Sequence, residues 1–525
     1  MSSGPSGWRS PRLRAVAAVL FAASSITWSV VSIRAWQAEQ KAAEWEERGR
    51  GSREWETPEE PAPVPIRARA ALAAPRSTVG LTQAAALFQT TNVWTVHLRF
   101  TPDQWEKIEP RQIEMSDRDR GPNGEFRLRN PAASRSGLAG VRGIEFDWVR
   151  AEVQFEDRVF PDSAARYKGN GTYLRSQRSL KRPFKVDLNK YTKQHVLAGR
   201  TTLNFANLVT DDSCLHDALA YEVYRAAGVP APRTAYARMF VTTNSQPAHH
   251  LGVYALVENI DLDFTEEMLG TRQGAIFKPV TPTLFADLGD DWSAYEAIYD
   301  PKNKLSEAQS RRVIELAQLL THAEDATFAA RVGDYIELDE FARFLAVTVL
   351  LSSYDSFLSN GQNFYVWLAP DTERFLFLPW DLDNAWGRFG SSSAALDRAE
   401  ASILHPWIGE HRLLERLFLV PDFERRYRKA LERLLADVFV PEKLHRRVDE
   451  LAALLRPLVA EESVSRLARF EQAVTLTRLE QAPEEGRGFG RNRAPHPLKW
   501  FIAERARSVR AQLDGQSVGV RPERW

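Results

Sequence analysis

The chain has 525 residues, 44% of them hydrophobic and 26% charged, and its 69 basic side chains cancel its 69 acidic ones. That length exceeds one ordinary domain and leaves ample apolar residue for a core, while a formal charge of zero removes the electrostatic case for a nucleic-acid partner. A single cysteine, Cys214, excludes an intramolecular disulfide and any cysteine-based zinc site.

In chain order, Arg9, Arg12 and Arg14 form a basic segment (1–14) ahead of "AVAAVLFAASSITWSVVSI", residues 15–33, which carry no charge. The run is long enough to cross a hydrocarbon layer of about 30 Å. It is expected to be an uncleaved transmembrane signal anchor, with a cleaved signal peptide as the alternative. The basic flank stays in the cytoplasm, so the bulk of the chain is expected outside it, in a bacterial periplasm or on the cell surface. Residues 34–86 are helix-forming and charged, then rich in Pro and Ala, which reads as a stalk and linker.

Folded structure is expected from residue 87. Residues 87–300 are strand-rich: "NVWTVHLRF" (92–100), "VRAEVQFEDRVF" (149–160), "ARYKGNGTYL" (165–174), "RPFKVDLNKY" (182–191), "TAYARMFVTT" (234–243) and "LGVYALVENID" (251–261). A short helix after the Thr101 cap and a longer one over about 213–227, opened by Asp211 and Asp212 and closed by Gly228, interrupt them. Residues 301–515 are mainly helical, apart from a hairpin formed by "NFYVWLA" (363–369) and "RFLFLPW" (374–380), and 516–525 form a tail.

The hairpin concentrates the chemistry. Asp355 lies on the loop leading in, Asn360 and Asn363 precede the first strand, and Asp381 and Asp383 follow the second. A hairpin brings its two open ends together, so these groups are expected to be neighbours. One Asp to orient a hydroxyl, with amide and carboxylate oxygens to hold Mg²⁺ or Mn²⁺ against phosphates, is what phosphoryl transfer requires. For any one of these residues alone, a turn or capping role explains it as well. Lys185, or Lys181 of the same strand parity, is placed to meet phosphates, with Glu222 on the following helix holding its ammonium. "KGNG" (168–171) is only a fragment of a phosphate-binding glycine loop.

Six stretches resemble the spore-coat protein H (CotH) kinase family, a group of atypical, secretory-type protein kinases. They are "RYKGNGTYLRSQRSLKRPFKVDLNKY", "DDSCLHDALAYEVYRAAGVPAPRTAYARMFV", "LGVYALVENID", "SYDSFLSNGQNFYVW", "PWDLDNAWG" and "LKWFIAERARSVRAQLDG". The resemblance implies an α+β, kinase-like two-lobed fold, with a strand-rich N-terminal lobe and a helix-rich C-terminal lobe. It further implies ATP and a divalent metal as cofactors and Ser or Thr of surface or envelope proteins as acceptors. Asp355 then resembles the catalytic Asp and Asp381 the metal-binding Asp, with Asn363 and Asp383 beside it. Asn360, Lys181, Lys185 and Glu258 resemble nucleotide-site residues. Arg182 and the Lys168 and Gly171 of "KGNG" depart from the family pattern. The competing readings are a CotH-like surface binding or assembly protein without turnover and a metal-dependent hydrolase, the latter leaving the lysines unexplained.

Overall fold

Alternation of apolar and polar residues builds the first half of the structure. In the strand Val149–Phe155 every second residue is buried and those between are more open to solvent. The strands of three residues or more are β1 (Val93–Phe100), β2 (Val149–Phe155), β3 (Arg158–Tyr167), β4 (Phe184–Asp187), β5 (Thr202–Ala206), β6 (Thr234–Thr243) and β7 (His249–Val257), followed by β8 (Ala275–Phe277), β9 (Phe364–Leu368) and β10 (Phe375–Pro379). The computed structural model describes residues 75–113, 133–134, 140, 143–169, 171–243, 247–390, 395–479 and 496–523.

Strands β1 to β7 close into a barrel in the order β1-β2-β3-β4-β5-β7-β6. The seam is a parallel pairing of β1 with β6, running from Val93 opposite Tyr236 to Phe100 opposite Thr243, while the other neighbours pair antiparallel. Val96, Leu98, Val153, Phe155, Phe184, Val186, Leu203, Phe205 and Leu256 fill the interior. Closure satisfies the edge N–H and C=O groups that an open sheet leaves unpaired.

The kinase-like two-lobed fold inferred from the resemblance is therefore corrected. Residues 74–525 form one compact unit containing a closed seven-stranded barrel. The strand that completes it, β5, was absent from the sequence reading, and β3 ends at Tyr167 where a longer strand was expected; Gly171–Ser176 is helical. Among the described residues no helix is long and apolar enough to cross a membrane. The expected anchor at 15–33 lies outside the described residues, as does most of the stalk.

Helices of eight residues or more are α1 (His216–Ala226), α2 (Leu262–Leu269), α3 (Glu307–His322), α4 (Leu338–Leu350), α5 (Pro421–Arg433), α6 (Pro441–Ala460), α7 (Val464–Thr475) and α8 (Leu498–Leu513). Ser306 opens α3 with a reciprocal capping box through Gln309, and Asp261 caps α2 by accepting from the Asp263 and Phe264 amides. Strands β8, β9 and β10 form a second, antiparallel sheet, with Phe364 opposite Pro379 and Leu368 opposite Phe375. A second core, including Phe341, Phe344, Phe357, Phe364 and Phe377, packs α4 against this sheet.

Within that core Glu340 is 2% exposed and accepts a 3.1 Å hydrogen bond from the Phe377 amide, its other oxygen lacking a donor. Burial pushes its carboxyl up from 4.5 to about 8. The folded state thus holds a proton that the unfolded chain releases near 4.5, so the stability present at low pH is lost progressively as pH rises toward about 8. Glu340→Gln keeps an acceptor for Phe377 and should flatten that decline, measured as urea midpoints on either side of the window; an unchanged slope would show that Glu340 does not carry it.

Candidate functional site

The hairpin does bring its two ends together. The Trp380 amide donates to the Asn363 carbonyl at 3.2 Å, and Asn363 and Asp381 both adopt left-handed backbone conformations, with φ of 63° and 57°. Asn and Asp are the non-glycine residues that take this conformation most readily, as single residues at turns. Asp355 lies beside them in a cage of amides. One carboxylate oxygen accepts from Asn360 at 2.6 Å and Gln362 at 3.0 Å, and the other from Asn384 at 3.0 Å. Its backbone carbonyl accepts from the Asn363 amide at 2.8 Å. Burial raises the Asp355 pKa, the amide donors pull it back, and the charge of Asp381 raises it further.

Helix α1 holds the acidic loop 381–386. The Tyr221 hydroxyl accepts from the Asp381 amide at 3.0 Å and the Asp217 carboxylate from the Leu382 amide at 2.8 Å. His216 Nδ1 donates to the Asp383 carbonyl at 2.8 Å, and Trp386 Nε1 donates to the His216 carbonyl at 3.1 Å. Asp217 is buried, and desolvation together with the Asp381 charge pushes its carboxyl up to about 7. Asp383 is also buried, and both its oxygens are occupied, one by the Thr210 hydroxyl and the other by Asn384 at 3.0 Å. Burial, then Asp381 and Asp217, place its pKa well above the usual carboxylate range.

Asp381 differs from these neighbours. Among the described residues its carboxylate accepts no hydrogen bond and has no cation in ion-pair range. It faces an equally unneutralised set of cations. Lys168, just past β3, and Lys278, just past β8, each place an ammonium 5.5 Å from the Trp380 ring centre, and Lys278 lies 5.3 Å from that of Tyr365. Burial lowers both lysines; for Lys168 the largest opposing charge is Asp381, and Lys278 is brought to about 7 by burial and by Lys302. Lys185 donates to Asn259 Oδ1 at 3.3 Å and is lowered to about 8 by burial and by Arg166 and Lys168. Half-buried lysines without an ion-pair partner among the described residues thus face a carboxylate equally without one.

Of the residues singled out in the sequence, Asp355, Asn360, Asn363, Asp381 and Asp383 come together. Lys185 borders them. Lys181 is engaged elsewhere, donating to Glu462 at 2.6 Å in a bridge from the barrel to the turn before α7. Glu222 binds Arg447 at 2.7 and 3.0 Å and no lysine. Glu258 is fully buried between Arg200, at 3.0 Å, and Arg233, at 2.9 Å, as a structural ion cluster. Lys278, Asp217, Tyr221 and Asn384 were missed. "AIFKPV" carried the signal for Lys278, a charge placed directly after a buried strand, as in "FLPWDLDN".

No three His, Cys, Asp or Glu side chains among the described residues are grouped to hold a metal by themselves. Mg²⁺ needs fewer, since one or two carboxylates and an amide oxygen suffice when phosphates and water complete its shell. The uncommitted Asp381 carboxylate and the Asn363 amide, oriented by its bond to Asp355, fit that requirement.

The hairpin beside the barrel thus opens onto a charged, polar site of acids, amides and lysines without ion-pair partners among the described residues. Residues 165–496 match the family model "CotH kinase protein", so the chain belongs to the CotH family. It is also similar to the inner spore coat protein H of Bacillus subtilis (strain 168), 25% identical over 257 residues, which is 47% of this chain and 66% of that protein.

Gly361 positions the amide cage. Its φ is +65°, and a Cβ there would fall 1.8 Å from the Thr281 carbonyl oxygen, which belongs to backbone and cannot swing aside. Gly361→Ala should cost more than about 2 kcal/mol by urea melting; a cost below 0.5 kcal/mol, roughly that of a neutral surface change, would mean the loop is free to relax.

Proposed function

We propose that the protein is a kinase-type phosphotransferase that uses ATP with Mg²⁺ or Mn²⁺ and phosphorylates Ser or Thr of a protein acceptor. The observation that carries this reading is the pair Lys168 and Lys278, which approach Trp380 with no counter-ion among the described residues and oppose Asp381. Two ammonium groups there match the charge of a polyphosphate tail. Lys185 extends the same cationic wall.

Asp355 orients the acceptor. Its carboxylate offers roughly four acceptor positions, of which Asn360, Gln362 and Asn384 occupy three. The remaining one receives the acceptor hydroxyl and then its proton, and the raised pKa keeps that transfer favourable. Asn384 holds the receiving oxygen in place, while Asn360 and Gln362 saturate the other one. Asp381 and Asn363 would hold the divalent cation, which when bound neutralises phosphate oxygens. Asp383, with both oxygens occupied, supports the loop. A setting outside the cytoplasm and an acceptor on the envelope or a coat rest on the family and on the coat-protein relative alone.

Full-length protein incubated with γ-labelled ATP, Mg²⁺ or Mn²⁺ and a generic acceptor should transfer label, and Asp355→Ala and Asp381→Ala should each reduce transfer at least about 100-fold. Absence of both transfer and metal-dependent nucleotide binding would replace this reading with that of a binding and assembly protein. Lys278→Ala should weaken nucleotide binding about tenfold or more. Because the folded pKa of Lys278 lies near 7, its positive charge, and with it nucleotide affinity, should fall as pH rises through that value. Lys278→Arg should remove this dependence; the same pH profile in Lys278→Arg would exclude Lys278 as its source.

A further inference from the structure

A groove of about 690 Å³ lies apart from the hairpin mouth, between the end of α1 and helices α4 and α5. Its floor is Ala226, Ala227 and Ala430, and its charged walls include Arg343, Lys429 and Arg433. The other charges partly cancel: Arg426 takes Asp339 at 2.6 Å and Asp422 at 2.7 Å, and Arg425 also pairs with Asp422. Arg343, Lys429 and Arg433 have no ion-pair partner among the described residues, against the single unpaired lining acid Asp437. Arg343 Nε is moreover a buried donor with no acceptor.

This arrangement works against the helix that carries it. Lys429 and Arg433, neither of them paired among the described residues, lie four apart on α5, where like charges repel. The helix then passes into a π-turn, Leu434–Val438, an irregularity that concentrates at functional positions. A bound anion relieves both the repulsion and the orphaned Arg343 donor. The spacing narrows its nature. Four helical residues rise about 6 Å, and alternate residues of an extended chain are about 6.6 Å apart. A floor of alanines leaves room for a main chain to lie flat.

We propose that this groove binds an extended acidic polypeptide segment whose alternate carboxylates pair with Lys429 and Arg433, with a further one reaching Arg343. The site is separate from the nucleotide reading and stands or falls independently of it.

The test is fluorescence anisotropy of a labelled peptide alternating Glu and Thr, titrated with the full-length protein. The peptide should bind, weaken with added salt, and lose at least about tenfold in affinity to the double variant Lys429→Glu, Arg433→Glu. Both positions are exposed, and circular dichroism verifies the fold. Arg343→Met should weaken binding as well. A peptide with the same Glu residues in one block should bind more weakly, and one alternating Gln and Thr should not bind. Equal affinity for blocked and alternating peptides, undiminished binding by the double variant, or displacement of the peptide by inorganic phosphate at equal charge would overturn the proposal. So would capture by phosphatidylglycerol vesicles with no peptide binding.

Discussion

The hold of α1 on the loop 381–386 is the constraint on which the site depends. A loop in this position runs through the interior, and each of its main-chain groups needs a partner. Asp217 and Tyr221, one helical turn apart, meet two successive amides of that loop, while His216 meets a carbonyl from the same helix end. Each bond has a modest net value, on the order of 1 kcal/mol, but a buried group left without one costs more, so the set acts together. It holds Asp381 in the left-handed conformation in which the loop turns. The acid is held where no group among the described residues neutralises it.

The same logic extends to the charges. Desolvation raises Asp217, Asp355 and Asp383 and lowers Lys168, Lys185 and Lys278. Acids and lysines so displaced, on facing sides of one site, would stabilise each other by direct pairing, yet none of these pairs is made. Where charges serve only the fold the chain does pair them, as Arg200, Arg233 and Glu258 show at full burial. The contrast within one molecule separates ion pairs that serve the fold from groups that the fold leaves unpaired, which is what the proposed nucleotide site needs.

Much of this was legible in the sequence where the signal was local. The hairpin, helices α3 and α4, and strands β1 and β6 follow from apolar periodicity and flanking turn residues. The acids and amides at the hairpin mouth followed from topology alone, since paired strands must bring their ends together. What failed was non-local. Strand β5, "TLNFA", is too short to stand out, and without it the barrel reads as an open sheet. Glu222 and Glu258 have donors chosen by tertiary packing, Arg447 for one and Arg200 with Arg233 for the other, and no spacing rule connects residues so distant in sequence. Asp217 looks like an ordinary first-turn acid until its partner, 165 positions away, is known.

The barrel also explains why the cations lie where they do. Lys168 and Lys278 come directly after β3 and β8, and Asp381 follows β10 with only Trp380 between, the first strand from the barrel and the other two from the small sheet. A charge on the inward face of any of these strands would have to enter a core lined by Phe184, Phe277 or Phe377. At the strand end it leaves the core while its backbone is still held by the ladder, as the bond from the Lys168 amide to the Pro183 carbonyl at 3.1 Å illustrates. Rigid strands thus carry charges to their own ends, and Trp380 gives the two lysines a common aromatic face. Closing the barrel matters to this geometry because it ties β3 through β4 and β5 to β7, leaving the Lys168 end no independent sheet edge along which to slip.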